Sequence, residues 1–148
     1  MKEIQLQTWT NALPGKMDCR WFENEHIGLK PTLFHHIVIP LKPFNSGLEY
    51  VEQPENTEIH IDWIELGIPE TENPENFILE KEGVINYEAS IYIGSAHNPI
   101  AINKLQVTAS NQHNYKVEGN ITVDFEFEGV AKKEDFEFQT ALEYINDT

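Results

Sequence analysis

The chain has 148 residues, 40% hydrophobic and 11% aromatic, which predicts one folded domain spanning 1–148 rather than a disordered acidic tail. Cys19 is its single cysteine, so an intrachain disulfide and a cysteine-based zinc site are excluded, and the thiol reads as inert. Twenty-five acids against ten bases give a net charge of −15, which argues against nucleic acid and anionic membranes as partners, because holding phosphates takes clustered Lys and Arg.

Period-two patterning dominates from the start. Residues 2–9 alternate polar and apolar and predict a first strand with Ile4 and Leu6 inward. No apolar run there is long enough for a leader or a membrane helix, so a cytoplasmic location is expected. Residues 11–31 carry Pro14, Gly15, Gly28 and Pro31 and predict a long loop, with a short helical turn at most. Residues 32–41 read as a strand between Pro31 and Pro40, and 43–57 return to turn chemistry. Residues 58–66 alternate again, with Glu58, His60 and Asp62 on one face and Ile59, Ile61 and Trp63 on the other. After a loop at 67–76, strands are expected at 84–93, at 100–109, at 115–127 with Gly119 as a bulge, and finally from about Phe136 to Tyr144. The expected fold is all-β: an antiparallel sandwich or partly closed barrel of about seven or eight strands, with at most one short helix.

The charge is placed unevenly. Residues 1–42 hold five bases and four acids, whereas 43–148 hold five bases and 21 acids. Between Lys42 and Lys81 no base occurs, and the acids there include Glu49, Glu52, Glu55, Glu58, Asp62, Glu65, Glu70, Glu72 and Glu75. If Phe125 and Phe127 face the core, Asp124, Glu126 and Glu128 share an outer face, with Asp135 and Glu137 beside them on the returning strand. Concentrated like charge repels itself in the compact state, a cost that an evenly charged surface avoids.

Motifs for chemistry are sparse. His60-Ile61-Asp62 with the distant His113 has the residue types of a two-histidine, one-carboxylate iron site, but the basic residue that a cosubstrate carboxylate needs is represented only by Lys116 and Arg20. Adjacent His35 and His36 point to opposite faces of a strand, so one is expected buried and the other exposed. Ser46-Gly47 and Gly94-Ser95 are ordinary turns without a Gly-x-Ser-x-Gly elbow, and no phosphate-cradling glycine loop or calcium loop occurs. No enzyme, cofactor or metal is therefore expected. Trp9, Trp21, Phe22, Tyr50 and Tyr92 fall in loops or on polar faces, where aromatic anchors of protein recognition are found.

No stretch carries a diagnostic family motif. In type alone, a small, acidic, cysteine-poor β domain is similar to bacterial immunity proteins that occlude a basic nuclease toxin. The expectation is a non-catalytic protein docking a basic partner through the acids of 49–75 and the outer face of the C-terminal hairpin, with Tyr50 or Trp63 as apolar anchors. The alternatives are an assembly module of a phage or secretion apparatus, and a small-ligand or carbohydrate-binding β-sandwich.

Overall fold

The computed structural model describes residues 1–145. Its strands are β1 (Gly15–Asn24), β2 (Leu29–Pro40), β3 (Glu58–Ile64), β4 (Phe77–Leu79), β5 (Glu88–Ile93), β6 (Ala96–Ala109), β7 (Asn114–Val123) and β8 (Glu134–Ile145), preceded by a one-turn helix α1 (Leu6–Trp9). They form one sheet in the order β4-β6-β5-β3-β2-β1-β8-β7, and pairing of β6 with β7 closes seven of them into a barrel. The all-β class is as expected. The sheet is mixed, however, because β1 runs parallel to β8 through Gly15–Leu142 to Asp18–Ile145, while every other pairing is antiparallel. Closure removes most of the free edge that an open sheet would leave, the exceptions being the outer side of β4 and part of the β1–β8 seam.

Alternation explains the core. Ile37 and Ile39 of β2, Ile59 and Ile61 of β3, Ile91 and Ile93 of β5, Ile102, Leu105 and Val107 of β6 and Val117 and Ile121 of β7 all point inward and are buried. One end is plugged by Ile4, Leu6, Phe44, Leu48 and Phe125, which join the same cluster. The other end is covered by the loop 65–76, where the Tyr115 hydroxyl donates to the Pro74 carbonyl at 2.6 Å.

Four local expectations are corrected. Residues 2–9 are not a strand: Ile4 and Leu6 are buried as the pattern required, but Trp9 N–H donates to the Gln5 carbonyl at 2.9 Å and closes a helical turn. Residues 11–31 are not a loop, since Gly15 opens β1 and Gly28, at φ 72°, closes the tight β1–β2 connection. Their glycines mark the strand's ends instead of opposing it. Residues 124–128 do not continue β7. Asp124 accepts the Phe127 N–H at 3.2 Å, the chain turns, and Phe127 stands 67% exposed. Gly119 is not a bulge; it pairs regularly with Leu105 and Phe138, and the bulge lies opposite, between Ile102 and Lys104.

Candidate functional site

Charged and aromatic side chains meet on the outer face of β1, β2, β3 and β5. β3 positions them. Ile61 pairs with Ile37 and Ile64 with His35, so Asp62 and Trp63 together oppose His36 across a bulge. Trp63 adopts φ 56°, a left-handed conformation rare for a bulky residue. The bulge reverses the expected inward direction of Trp63 and sets its indole on the surface. There it lies 5.0 Å from Phe22, 5.4 Å edge-on to Phe34 and 5.1 Å edge-on to His36, measured between ring centroids. This lid explains why His36 is buried although it points outward, so His35 and His36 are both buried, contrary to the one-in, one-out expectation.

Sheet register lines up a row of titratable groups beside the lid. Asp18 pairs with His36, His36 faces Asp62, and Asp62 pairs directly with Glu88. His36 Nδ1 lies 3.1 Å from Asp62 Oδ1, and Arg20 Nε lies 3.4 Å from Asp18 Oδ1. Asp62 and Glu88 are like charges in directly opposed positions, an arrangement that destabilises a sheet. Towards the strand's start, His60 Nε2 meets Glu58 at 3.2 Å. Past its end, exposed Glu65 leads into the loop, where the Trp21 indole N–H donates to Glu70 and where Glu72 and Glu75 are exposed.

The other predicted residues fall elsewhere. Glu49, Tyr50 and Glu52 are exposed on the loop before β3, at the opposite end of the barrel from Glu65–Glu75. Glu55 is buried: it accepts the Ser46 hydroxyl at 2.8 Å and cannot meet a partner. Asp124, Glu126 and Glu128 lie in the β7–β8 connection and Glu137 on β8, and in the closed ring β7 and β8 stand across from β3. The two acidic clusters expected to form one docking surface are therefore on opposite sides. The second is partly neutralised by its own hydrogen bonds, with Asp135 accepting from Thr122, Glu137 from Asn120, and Glu126 from the Lys133 N–H.

The alternative metal set also separates. His60 and Asp62 share a face but engage Glu58 and His36, while His113 sits in the β6–β7 turn, its carbonyl accepting the Tyr144 N–H. No group of three or more His, Cys, Asp or Glu side chains among the described residues is placed to hold a metal ion. Inside the barrel, Tyr144 Oη lies 3.3 Å from both Cys19 Sγ and His35 Nε2. Burial, with help from neighbouring His36, pushes the His35 pKa down to about 4, and burial with the Cys19 hydrogen bond pushes Tyr144 up. Both groups are thus uncharged at neutral pH and act as core.

Sequence reasoning missed Asp18, His36, Glu88, Phe22 and Phe34 as members of one face, because membership depends on register between distant strands. The available signal was that outward positions of 84–93 include Glu88. No helix among the described residues is long and apolar enough to cross a membrane. A scan against protein-family models matched none, and searches of curated proteins and of solved structures found no match.

Proposed function

We propose that this chain is a non-catalytic binding protein that captures a basic protein surface, of the kind a nuclease toxin presents, on the face built by β3 and its neighbours. A nuclease must carry a cationic cleft to hold phosphates, and a carboxylate-bearing inhibitor can occupy it. The observation that carries this reading is Trp63, held by a left-handed bulge at the surface and flanked in register by the Asp62–Glu88 pair. Backbone strain of this sort costs on the order of 1–3 kcal/mol, and bulges re-aim side chains at functional positions. An aromatic anchor ringed by charge is the usual anatomy of an energetic centre in an interface. Opposite fields would steer the partner in and raise the association rate at low salt.

The test uses the tagged chain, its Trp63→Ala variant and its Asp62→Lys/Glu65→Lys/Glu88→Lys variant as baits in lysate of the native cell. The wild type is expected to retain a protein of basic isoelectric point that both variants lose. Association of the purified pair should slow by about tenfold or more between roughly 0.05 and 0.5 M salt. A partner held equally by all three baits, or an association rate indifferent to salt, overturns the reading.

A further inference from the structure

A second site lies across the barrel and is independent of the acidic face. The seam between β1 and β8 is only half closed: β8 pairs with β7 from Glu134 to Glu143 but with β1 only from Leu142 to Ile145. Beside the open half the chain places α1, and the Gln7 amide takes the role of a missing strand. Its Nε2 donates to the Glu137 carbonyl at 2.8 Å, and its Oε1 accepts the Glu137 N–H at 2.7 Å. The chain then swings away, pairing Ala12 with Leu41 and donating the Leu13 N–H to the Pro40 carbonyl. Between this departing segment and the β6–β7–β8 wall remains an open cleft of about 710 Å³. That lies within the roughly 300–1,000 Å³ of small-molecule sites.

Its lining selects a ligand class. Side-chain amides dominate: Gln7, Asn11, Gln106, Asn120 and Gln139. Gln7 is held by Glu137, and Asn120 by Glu137 and Asn103, so Asn11, Gln106 and Gln139 are the amides that offer two donors and an acceptor to hydroxyl groups that both give and take a hydrogen bond. An apolar ligand would strip water from these amides without replacing their hydrogen bonds. An anion would face Glu118 and Glu137 with Lys104 as the single basic residue of the lining. The carboxylates are already engaged, Glu118 with Lys116 at 2.8 Å and Glu137 with Asn120 at 3.1 Å, so they serve as acceptors fixed in place. Of the two aromatics in the lining, Phe136 is fully buried, and half-buried Phe138 is stacked on it with centroids 5.4 Å apart, which gives the cleft an apolar edge. Gly119 makes room for the Phe138 ring, since a Cβ there would come within 2.6 Å of it.

We infer that the cleft between α1 and the β6–β7–β8 wall binds a neutral polyhydroxylated ligand, a short segment of an uncharged oligosaccharide. The experiment titrates the ¹⁵N-labelled full chain with a panel of neutral di- to tetrasaccharides of glucose, galactose, mannose and N-acetylglucosamine. A sulfated oligosaccharide and an uncharged extended peptide complete the panel. At least one neutral sugar should give saturable shifts of the side-chain amides of Gln106, Asn120 and Gln139. Gln106→Ala and Gln139→Ala, both at exposed positions, should each weaken that sugar several-fold while Trp63→Ala leaves it unchanged. Absence of saturable shifts in the cleft with every neutral sugar at about 10 mM, or shifts only with the sulfated sugar or the peptide, overturns the inference.

Discussion

At the scale of single residues, His35 departs far from its ordinary behaviour, and does so within the pH range where folding is measured. It sits on β2, buried inside the barrel, its ring stacked on Tyr144 of β8 with centroids 5.9 Å apart, and its Nδ1 has no hydrogen-bond partner among the described residues. A positive charge there would be desolvated, so the folded state resists protonation until about pH 4, whereas the unfolded chain takes up the proton near 6.5. The unfolded state therefore binds the extra proton first. Stability from this residue is complete above about pH 6.5, falls as pH drops through the window to about 4, and levels off below it. The slope inside the window is at most about 1.4 kcal/mol per pH unit. Carboxylates titrate in part of the same range, so the measurement is a difference: urea midpoints of wild type and His35→Gln at pH 7, 5.5 and 4.5. The wild type should lose stability relative to the variant as pH falls. Parallel curves would show that burial does not hold His35 neutral.

Among elements, the glycines separate what was legible from what was not. Alternation identified the inward isoleucines of β3 and β5, because that pattern is local to one strand, whereas the turn expected over 94–99 is only Gly94-Ser95, with Ala96–Pro99 already in β6 and paired with β5. It misread 11–31, since Gly15 looks like a breaker until its neighbours are known. In the barrel Gly15 is wedged between β2 and β8, and a Cβ would meet the Val38 carbonyl oxygen at 2.3 Å and Leu142 at 3.1 Å. Gly119, taken from sequence as a bulge, likewise answers a packing demand across strands, with the Phe138 ring lying over it. Alternation puts Trp63 on the face of Ile59 and Ile61, at odds with a role as a surface anchor, because period two fails at a bulge, and a bulge is not written in any short motif. The parallel β1–β8 pair was equally invisible, as it joins the two ends of the chain. These contacts set an order of costs. Gly15→Ala collides with backbone, which cannot step aside, and should cost about 3 kcal/mol. Gly119→Ala collides with a half-buried side chain that can swing, and should cost about 1 kcal/mol. Phe138→Leu should recover part of the loss in the Gly119→Ala background and none in the Gly15→Ala one. Chemical denaturation of the four variants reads this directly, and equal costs at the two glycines would show that the difference between backbone and side-chain contact does not matter here.

Over the whole molecule, the excess of carboxylate is spread around the ring, with one group along β3 and β5 and another across from it near β8. The unit that was legible in the sequence was therefore the charge count, and what the closed ring decides is which charges share a field. Around β8 the acids are tied into hydrogen bonds with Asn120 and Thr122 and an ion pair between Lys132 and Glu3 at 3.6 Å. Along β3 the pairing of Asp62 with Glu88 has His36 beside it, and under the proposed function repulsion within the fold and attraction for a cationic partner come from the same side chains. Stability and binding should then respond to Glu88→Lys in opposite directions. Replacing a like-charge cross-strand pair by an opposite one should raise the unfolding free energy by about 0.5–1 kcal/mol at low salt. That gain should shrink as the Debye length falls from about 30 Å at 0.01 M to about 8 Å at 0.15 M. The same substitution should slow association with the basic partner captured by the wild-type chain. A variant that is more stable and still binds at the wild-type rate would mean that the repulsion along β3 has no connection with recognition, and that Trp63 alone anchors the partner.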